Sequence, residues 1–509
     1  MAGARGVPQA TQSVTCGTLM HDLIEPKHVN HLIPLGARRG DFLEFYNTGE
    51  NFHSTYEVGQ KIGEGGFGKV FQARHRVLGI SRAVKRLKKS RSRTDLHTKE
   101  IAALLALDHP HIVKLVEFYD EDQHLYLVFE LCQGPDLLDR IHMAPGGRMT
   151  EYDASVALRH MLKALQCCHS QYRGHYDIKP ENFMYAKKDL ADLLMIDLGL
   201  SSGFERQRKH KIKGTAAYMA PEFWDGIYGP EGDIWSCGVV LFAMLTGQEF
   251  LPDVPPAVLR RETRCRGALK ERLKSCADRF GFSKAAQDFL SQMLQHDRHA
   301  RPTVREALQH DFNQQSYEAE RLSPQRQHDP RFKEALAVRE RLVDTFRAVA
   351  HEPILKRVSR LAMAHACDVC VEELAAERFV FRMLDRPGYG ELSIGVLEND
   401  FMYRNAPLPD DLESIFESMD LNRDGYISYC AFIGAMLPFS LRSNESLCKV
   451  AFSILDRGKD GYIDCADIAA VFGHEKDSET CKSILAEVAP DGRLSWPSFL
   501  SLMVGDLLS

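Results

Sequence analysis

The chain has 509 residues, too many for one hydrophobic core, so several domains are expected. Its 44% apolar and 26% charged residues are those of an ordinary globular protein, a net charge of −6 gives no basis for nucleic-acid binding, and no apolar run of 18 residues is available to cross a membrane. The charge is unevenly spread: from Cys367 onward 25 acidic side chains face 12 basic ones, net −13, which leaves the first 366 residues near +7. Thirteen cysteines without regular spacing point to reduced thiols. The N-terminus lacks an apolar signal core, and Gly3 stands one position too late for N-myristoylation. A cytoplasmic protein is expected, with peripheral membrane association, for instance through palmitoylation of Cys16, left open.

Residues 1–52 mix Gly, Pro, Gln, His and Arg without a sustained period and read as a flexible extension. From Tyr56 the pattern becomes strand-like, with Gly63-Glu-Gly-Gly-Phe-Gly68 between two strands and Ala83-Val-Lys85 ending a third. A glycine-rich turn between strands, followed by a lysine, suits a hairpin over nucleotide phosphates better than a strand-to-helix dinucleotide turn. Glu100 then opens an amphipathic helical run, and Leu125-Tyr-Leu-Val-Phe-Glu-Leu-Cys132 is an apolar strand entering a Gly134-Pro-Asp136 turn. Helical spacing from Asp153 to Ser170 leads to His175-Tyr-Asp-Ile-Lys-Pro-Glu-Asn182, and Asp197-Leu-Gly199 follows fifteen residues after Asn182. An Asp, a Lys two residues on, an Asn five residues on and a second Asp beyond a short hairpin supply a base, a phosphate contact and two Mg²⁺ ligands: the parts of phosphoryl transfer.

These strings resemble the protein kinase catalytic loop and metal motif, with Tyr176 where the family carries Arg and Leu198 where it carries Phe. Ala220-Pro-Glu222, Asp233-Ile-Trp and Arg301-Pro-Thr follow in the family's order. The resemblance implies that Asp177 orients the substrate hydroxyl, Lys179 and Lys85 neutralise phosphate charge, Glu100 holds Lys85, and Asn182 and Asp197 hold Mg²⁺. It also implies an ATP site lined by Ile62, Gly63, Glu64, Gly65, Gly66, Phe67, Gly68, Val70, Ala83, Lys85, Phe129, Glu130, Cys132, Asp136 and Met184, with Phe129 at its back. Lys179 with Thr215 looks like the Ser/Thr class, and Asp136 and Glu181 sit where basic substrates are read. Tyr176 cannot bind an activation-segment phosphate, so activation by loop phosphorylation is not expected.

Beyond a polar stretch at 313–337, apolar residues at Leu342, Phe346 and Val349, then at Ile354, Val358 and Leu361, mark helices broken at Pro353, with Lys356, Arg357 and Arg360 on the polar side. The acidic third repeats at 35–36 residues: Asp385-Arg-Pro-Gly-Tyr-Gly, Asp420-Leu-Asn-Arg-Asp-Gly, Asp456-Arg-Gly-Lys-Asp-Gly and a shortened Ala489-Pro-Asp-Gly. These resemble four EF-hands. Candidate Ca²⁺ ligands are Asp420, Asn422, Asp424 and Tyr426 in the second, and Asp456, Asp460, Tyr462 and Asp467 in the third. The bidentate Glu at loop position 12 is missing throughout, replaced by Val396, Ala431, Asp467 and Ser498. The first loop also has Pro387 and Tyr389 at positions 3 and 5, so only the second and third loops are expected to hold Ca²⁺, weakly.

Kinase, basic junction helix and four EF-hands resemble the calcium-dependent protein kinases of plants and protists. The fold class implied is multidomain α+β: a bilobal kinase followed by an all-α tandem EF-hand domain. The expected divisions are an extension at 1–52, a kinase domain at 53–312, a linker and junction helix at 313–366, and EF-hand pairs at 367–440 and 441–509. The expected partners are Ser/Thr protein substrates in basic context and, within the chain, the junction helix with the EF-hands, in a monomer. Two alternatives remain: an active kinase whose EF-hand third is a Ca²⁺-insensitive structural or partner-binding module, and a pseudokinase scaffold without catalysis.

Overall fold

Five strands rich in β-branched and aromatic residues form one antiparallel sheet in the order β1–β2–β3–β5–β4: β1 Tyr56–Gly65, β2 Gly68–His75, β3 Ser81–Lys88, β4 Leu115–Asp120 and β5 His124–Phe129. The computed structural model describes residues 51–65, 68–89, 101, 104–189, 191–198, 202–203, 214–251, 254–314, 330–472 and 478–505. The continuous apolar run of β5 is buried on both faces. Phe52, which the sequence reading leaves in the N-terminal extension, belongs to this lobe. It is fully buried and stacks on Tyr126 at 4.2 Å between ring centroids. The burial of an aromatic ring outweighs the weak local signal around it.

The large lobe is built on helix α1, Glu151–Ser170, whose first turn is capped by Thr150 accepting from Asp153 N–H at 3.1 Å. Its periodic apolar residues Ala157, Leu158, Met161, Leu162 and Leu165 are all buried. Helix α2, Pro230–Thr246, is apolar nearly all round and packs against α1 inside the lobe. It stops at Gly247, whose φ of 67° a glycine adopts without strain.

The C-terminal third is four helix-loop-helix units. Short strands join them in pairs, Glu391–Leu392 with Ile427–Ser428 and Tyr462–Ile463 with Leu494–Ser495. The β-branched Ile427 and Ile463 are buried at these joints. Helix α3, Ile354–Ala366, starts after Pro353 and packs against α5, Tyr429–Met436, and α6, Glu445–Leu455; α4, Ala375–Leu384, opens the first unit. A helix at Pro330–Glu340 occupies part of what the sequence reads as linker.

The expected polar side of α3 is corrected by the structure. Lys356 and Arg360 are buried, 4% and 3% exposed, because Glu352 at the helix start collects Lys356 at 3.4 Å, Arg360, and Arg442 from another helix at 3.9 Å. Arg357 reaches the carbonyl of Ser418. One carboxylate thus meets three cations beside a largely apolar core. Glu352→Ala is expected to destabilise the C-terminal third by about 3–5 kcal/mol, the cost of leaving buried charge uncompensated. Chemical denaturation followed by the tryptophan at 496 measures it, and a loss below about 1 kcal/mol would contradict this account.

Candidate active site

The sheet brings the nucleotide-site candidates into register. Gly63 pairs with Val70, Val70 with Lys85, Ala83 with Phe129 and Lys85 with Leu127. Gly65 faces Gly68 across the hairpin, and a side chain at position 68 would meet the Arg86 carbonyl at 2.5 Å. Glu64 turns outward to Lys61 at 2.8 Å, and Ile62 is 45% exposed. Beyond β5, Asp136 caps the helix Leu137–Met143 by accepting from Asp139 N–H at 2.8 Å, and its backbone bridges to Met184. Gly66, Phe67, Glu100 and Gly199 lie outside the described residues. The expected Lys85 partner Glu100 is therefore not described; Lys85 Nζ donates to Asp197 Oδ1 at 2.9 Å.

The catalytic segment is pinned from below. Asp233, fully buried in the first turn of α2, accepts from His175 N–H at 2.9 Å and Tyr176 N–H at 2.7 Å, and meets His169 Nε2 at 2.9 Å. This holds Tyr176 at a φ of 65°, an uncommon conformation for a non-glycine residue. Asp177 follows at once: its Oδ1 accepts from Thr215 N–H and Thr215 Oγ1, both at 2.8 Å. Lys179 Nζ stands 3.5 Å from Asp177 Oδ2 and donates to Thr215 Oγ1 at 3.1 Å. Asn182 Nδ2 closes the loop on the Asp177 carbonyl at 2.7 Å. The amide's other atom, an oxygen, and the carboxylate of Asp197 are donors of the kind Mg²⁺ takes.

Tyr176 itself is 3% exposed and makes edge-to-face contacts with Phe223 at 5.8 Å and Tyr228 at 5.3 Å. Glu222, beside Phe223, is gripped by Arg301 in a two-pronged pair of 2.6 and 2.8 Å. Where an arginine would wait for a phosphate, an aromatic cluster fastens the catalytic loop to the segment after Thr215.

Contacts between residues distant in the chain were not legible in the sequence. Glu130, which the resemblance places in the lining of the ATP site, uses its carboxylate to accept from Lys114 N–H at 2.9 Å and from Val369 N–H at 2.8 Å, far along the chain. Two residues on, burial pushes the Cys132 thiol pKa well up, and the side chain packs with Cys370 against Ala186, Leu194 and Val369. In the third helix-loop-helix unit, Arg493 from the fourth loop pairs with Asp460 and stands 4.0 Å from Asp464. A protein-borne cation thus sits among the candidate ligands. Asp467 accepts from Gly458 N–H and Asp464 N–H, both at 2.8 Å, while Asp456 accepts from Asp460 N–H at 3.3 Å and Gly461 N–H at 3.0 Å. Tyr462 packs its ring under Arg493 at 4.7 Å. In the second loop Asp420 accepts from Asp424 N–H at 3.2 Å and Gly425 N–H at 2.8 Å, Asn422 Nδ2 donates to Asp424 Oδ2 at 2.6 Å, and Tyr426 N–H to Asp424 Oδ1 at 3.0 Å. Burial raises the carboxyl pKa of both Asp420 and Asp467.

A two-lobed fold with a glycine hairpin over a cleft and an Asp-Lys-Asn loop at its floor defines a protein kinase, and residues 56–313 match the protein kinase domain family. The chain is 32% identical over 470 residues to calcium-dependent protein kinase 9 of Oryza sativa subsp. japonica, covering 88% of this chain and 76% of that one. It is 30% identical to calcium-dependent protein kinase 14 of Arabidopsis thaliana (90% and 84% covered) and 28% identical to calcium-dependent protein kinase 4 of Plasmodium falciparum (92% and 89%). The chain belongs to the calcium-dependent protein kinase family. It is a protein serine/threonine kinase, of a family that uses ATP and Mg²⁺ and acts on protein substrates. Among the described residues no helix is long and apolar enough to cross a membrane.

Phosphatase treatment of the purified chain is expected to leave kcat unchanged, since the buried Tyr176 offers no charge to a phosphate. Tyr176→Ala is expected to lower kcat by roughly 10²-fold by loosening the position of Asp177. Steady-state kinetics before and after dephosphorylation check both; loss of activity together with a phosphate from Thr215 would refute the first.

Proposed function

We propose that this chain is an active cytoplasmic kinase in which Asp177 orients the acceptor hydroxyl, Lys85 and Lys179 neutralise phosphate charge, and Asn182 and Asp197 hold the metal. The observation that carries it is the assembled network in which Thr215 and Asn182 hold Asp177 while Lys85 reaches Asp197. Bound ATP-Mg²⁺ supplies the phosphoryl group and the charge that offsets the developing negative charge; the protein's share is alignment and fixed cations. Substrates are Ser/Thr proteins in basic context, read by Asp136 and the exposed Glu181. A pseudokinase reading is disfavoured by the presence of every charged group the reaction needs.

We infer further that Ca²⁺ acts weakly on this kinase. The donor set of the second loop ends at Ala431, which has no side-chain oxygen, and the third already holds the Arg493 guanidinium against Asp460. Affinity then falls towards weak sites, on the order of 10⁻⁵ M or poorer, and a ligand shifts a conformational equilibrium only by its differential affinity.

Transfer from ATP-Mg²⁺ to a basic Ser/Thr peptide, with and without Ca²⁺, tests the reading. Asp177→Asn and Lys85→Ala should each reduce kcat by roughly 10²-fold or more with the fold intact by circular dichroism; full activity in Asp177→Asn would sink the assignment. Arg493→Ala should tighten Ca²⁺ binding at the third loop by about tenfold, a coupling of some 1.4 kcal/mol, in calorimetric titration of the full chain. Unchanged or weaker binding would show that the arginine does not compete.

A further inference from the structure

The first helix-loop-helix unit has a loop that no cation chemistry explains. Its position-1 carboxylate, Asp385, is almost fully buried and turned onto its own loop: Oδ1 accepts from Gly388 N–H at 2.9 Å and Tyr389 N–H at 3.0 Å, and Oδ2 from Gly390 N–H at 2.9 Å. Pro387, Tyr389 and Val396 stand where further side-chain oxygens would be needed, so the donor set does not fit Ca²⁺.

The outer side of the same loop lies on the kinase domain. Lys163 of α1 donates Nζ to the Asp385 carbonyl at 2.6 Å and the Arg382 carbonyl at 3.4 Å, at the C-terminal end of α4, where orphan carbonyls and the helix dipole favour a cation. Arg382 itself pairs with Asp192 of the kinase at 2.8 Å. Gly388 and Gly390 both have φ of 80°; a Cβ at Gly388 would strike Lys163 at 2.6 Å, and one at Gly390 would strike the carbonyl of Asp108. The Asp108 carboxylate accepts from Cys430 N–H at 2.8 Å, which ties the second unit to the same patch. His109 stands 3.9 Å from Asp385, and burial holds its ring neutral.

We propose that this loop is an intramolecular docking element, which fastens the C-terminal third to α1 and the Asp108–His109 turn of the kinase whether or not Ca²⁺ is present. Its shape is held by Asp385 in place of a metal, its contact with the kinase is backbone to lysine, and neither depends on a divalent ion. The seam continues through Val369 on Glu130 and His365 Nε2 on the Val116 carbonyl at 2.8 Å, so it reaches β4 and the residue that follows β5. This goes beyond the weak Ca²⁺ response proposed above, and its test reads docking, not phosphate transfer.

The experiment is hydrogen exchange and small-angle scattering of the full chain in excess EGTA and in excess CaCl₂. Protection of the Val369 and Cys430 amides and the radius of gyration should be the same in both. Lys163→Glu, on the kinase side and outside the loop's own hydrogen bonds, should lower that protection tenfold or more and expand the particle, and Gly390→Val should do the same. Should Gly390→Val fail to fold, Lys163→Glu alone decides. Loss of protection or expansion of the unmutated chain in EGTA, reversed by Ca²⁺, would overturn the proposal, as would an unaltered seam in Lys163→Glu.

Discussion

A carboxylate with no exposed surface holds the catalytic end of this molecule together. Asp233, carried in the first turn of the most apolar helix of the large lobe, accepts the backbone hydrogens of His175 and Tyr176 and so sets the path of the next residue, Asp177. A buried charge is tolerable only when several donors surround it, and here the donors are the backbone of the loop being positioned. The uncommon backbone angle at Tyr176 is the local cost, and it is borne by the packing of that ring on Phe223 and Tyr228.

The same economy of protein-borne charge recurs in the acidic third. Calcium-type loops gather negative oxygens, and a loop whose donors have been lost must satisfy the remainder internally. In the first loop backbone amides do this for Asp385, in the third the guanidinium of Arg493 does it for Asp460, and beside α3 three cations gather round the carboxylate of Glu352.

Glu130 links these two halves physically. Its backbone belongs to the segment joining the lobes and its carboxylate binds Val369, so the nucleotide cleft and the C-terminal third share one residue. Packed interfaces of this kind transmit shifts because they have few alternative arrangements.

Residue type and spacing were enough to read the kinase order, the glycine hairpin, the catalytic loop and the four-unit period, because phosphate and metal chemistry demand particular atoms at short, local separations. Spacing also read the missing oxygens at loop position 12. What it could not read were partners distant in the chain: Phe52 in the small-lobe core, Lys356 and Arg360 inside a core with Glu352, Glu130 with Val369, Lys163 with Asp385, and Arg493 with Asp460. A lysine or arginine on a helical pattern looks like a solvated face until the fold shows what is packed over it. Local chemistry is written in the order of residues, whereas the pairing of buried charges depends on which surfaces meet, and only the tertiary structure decides that.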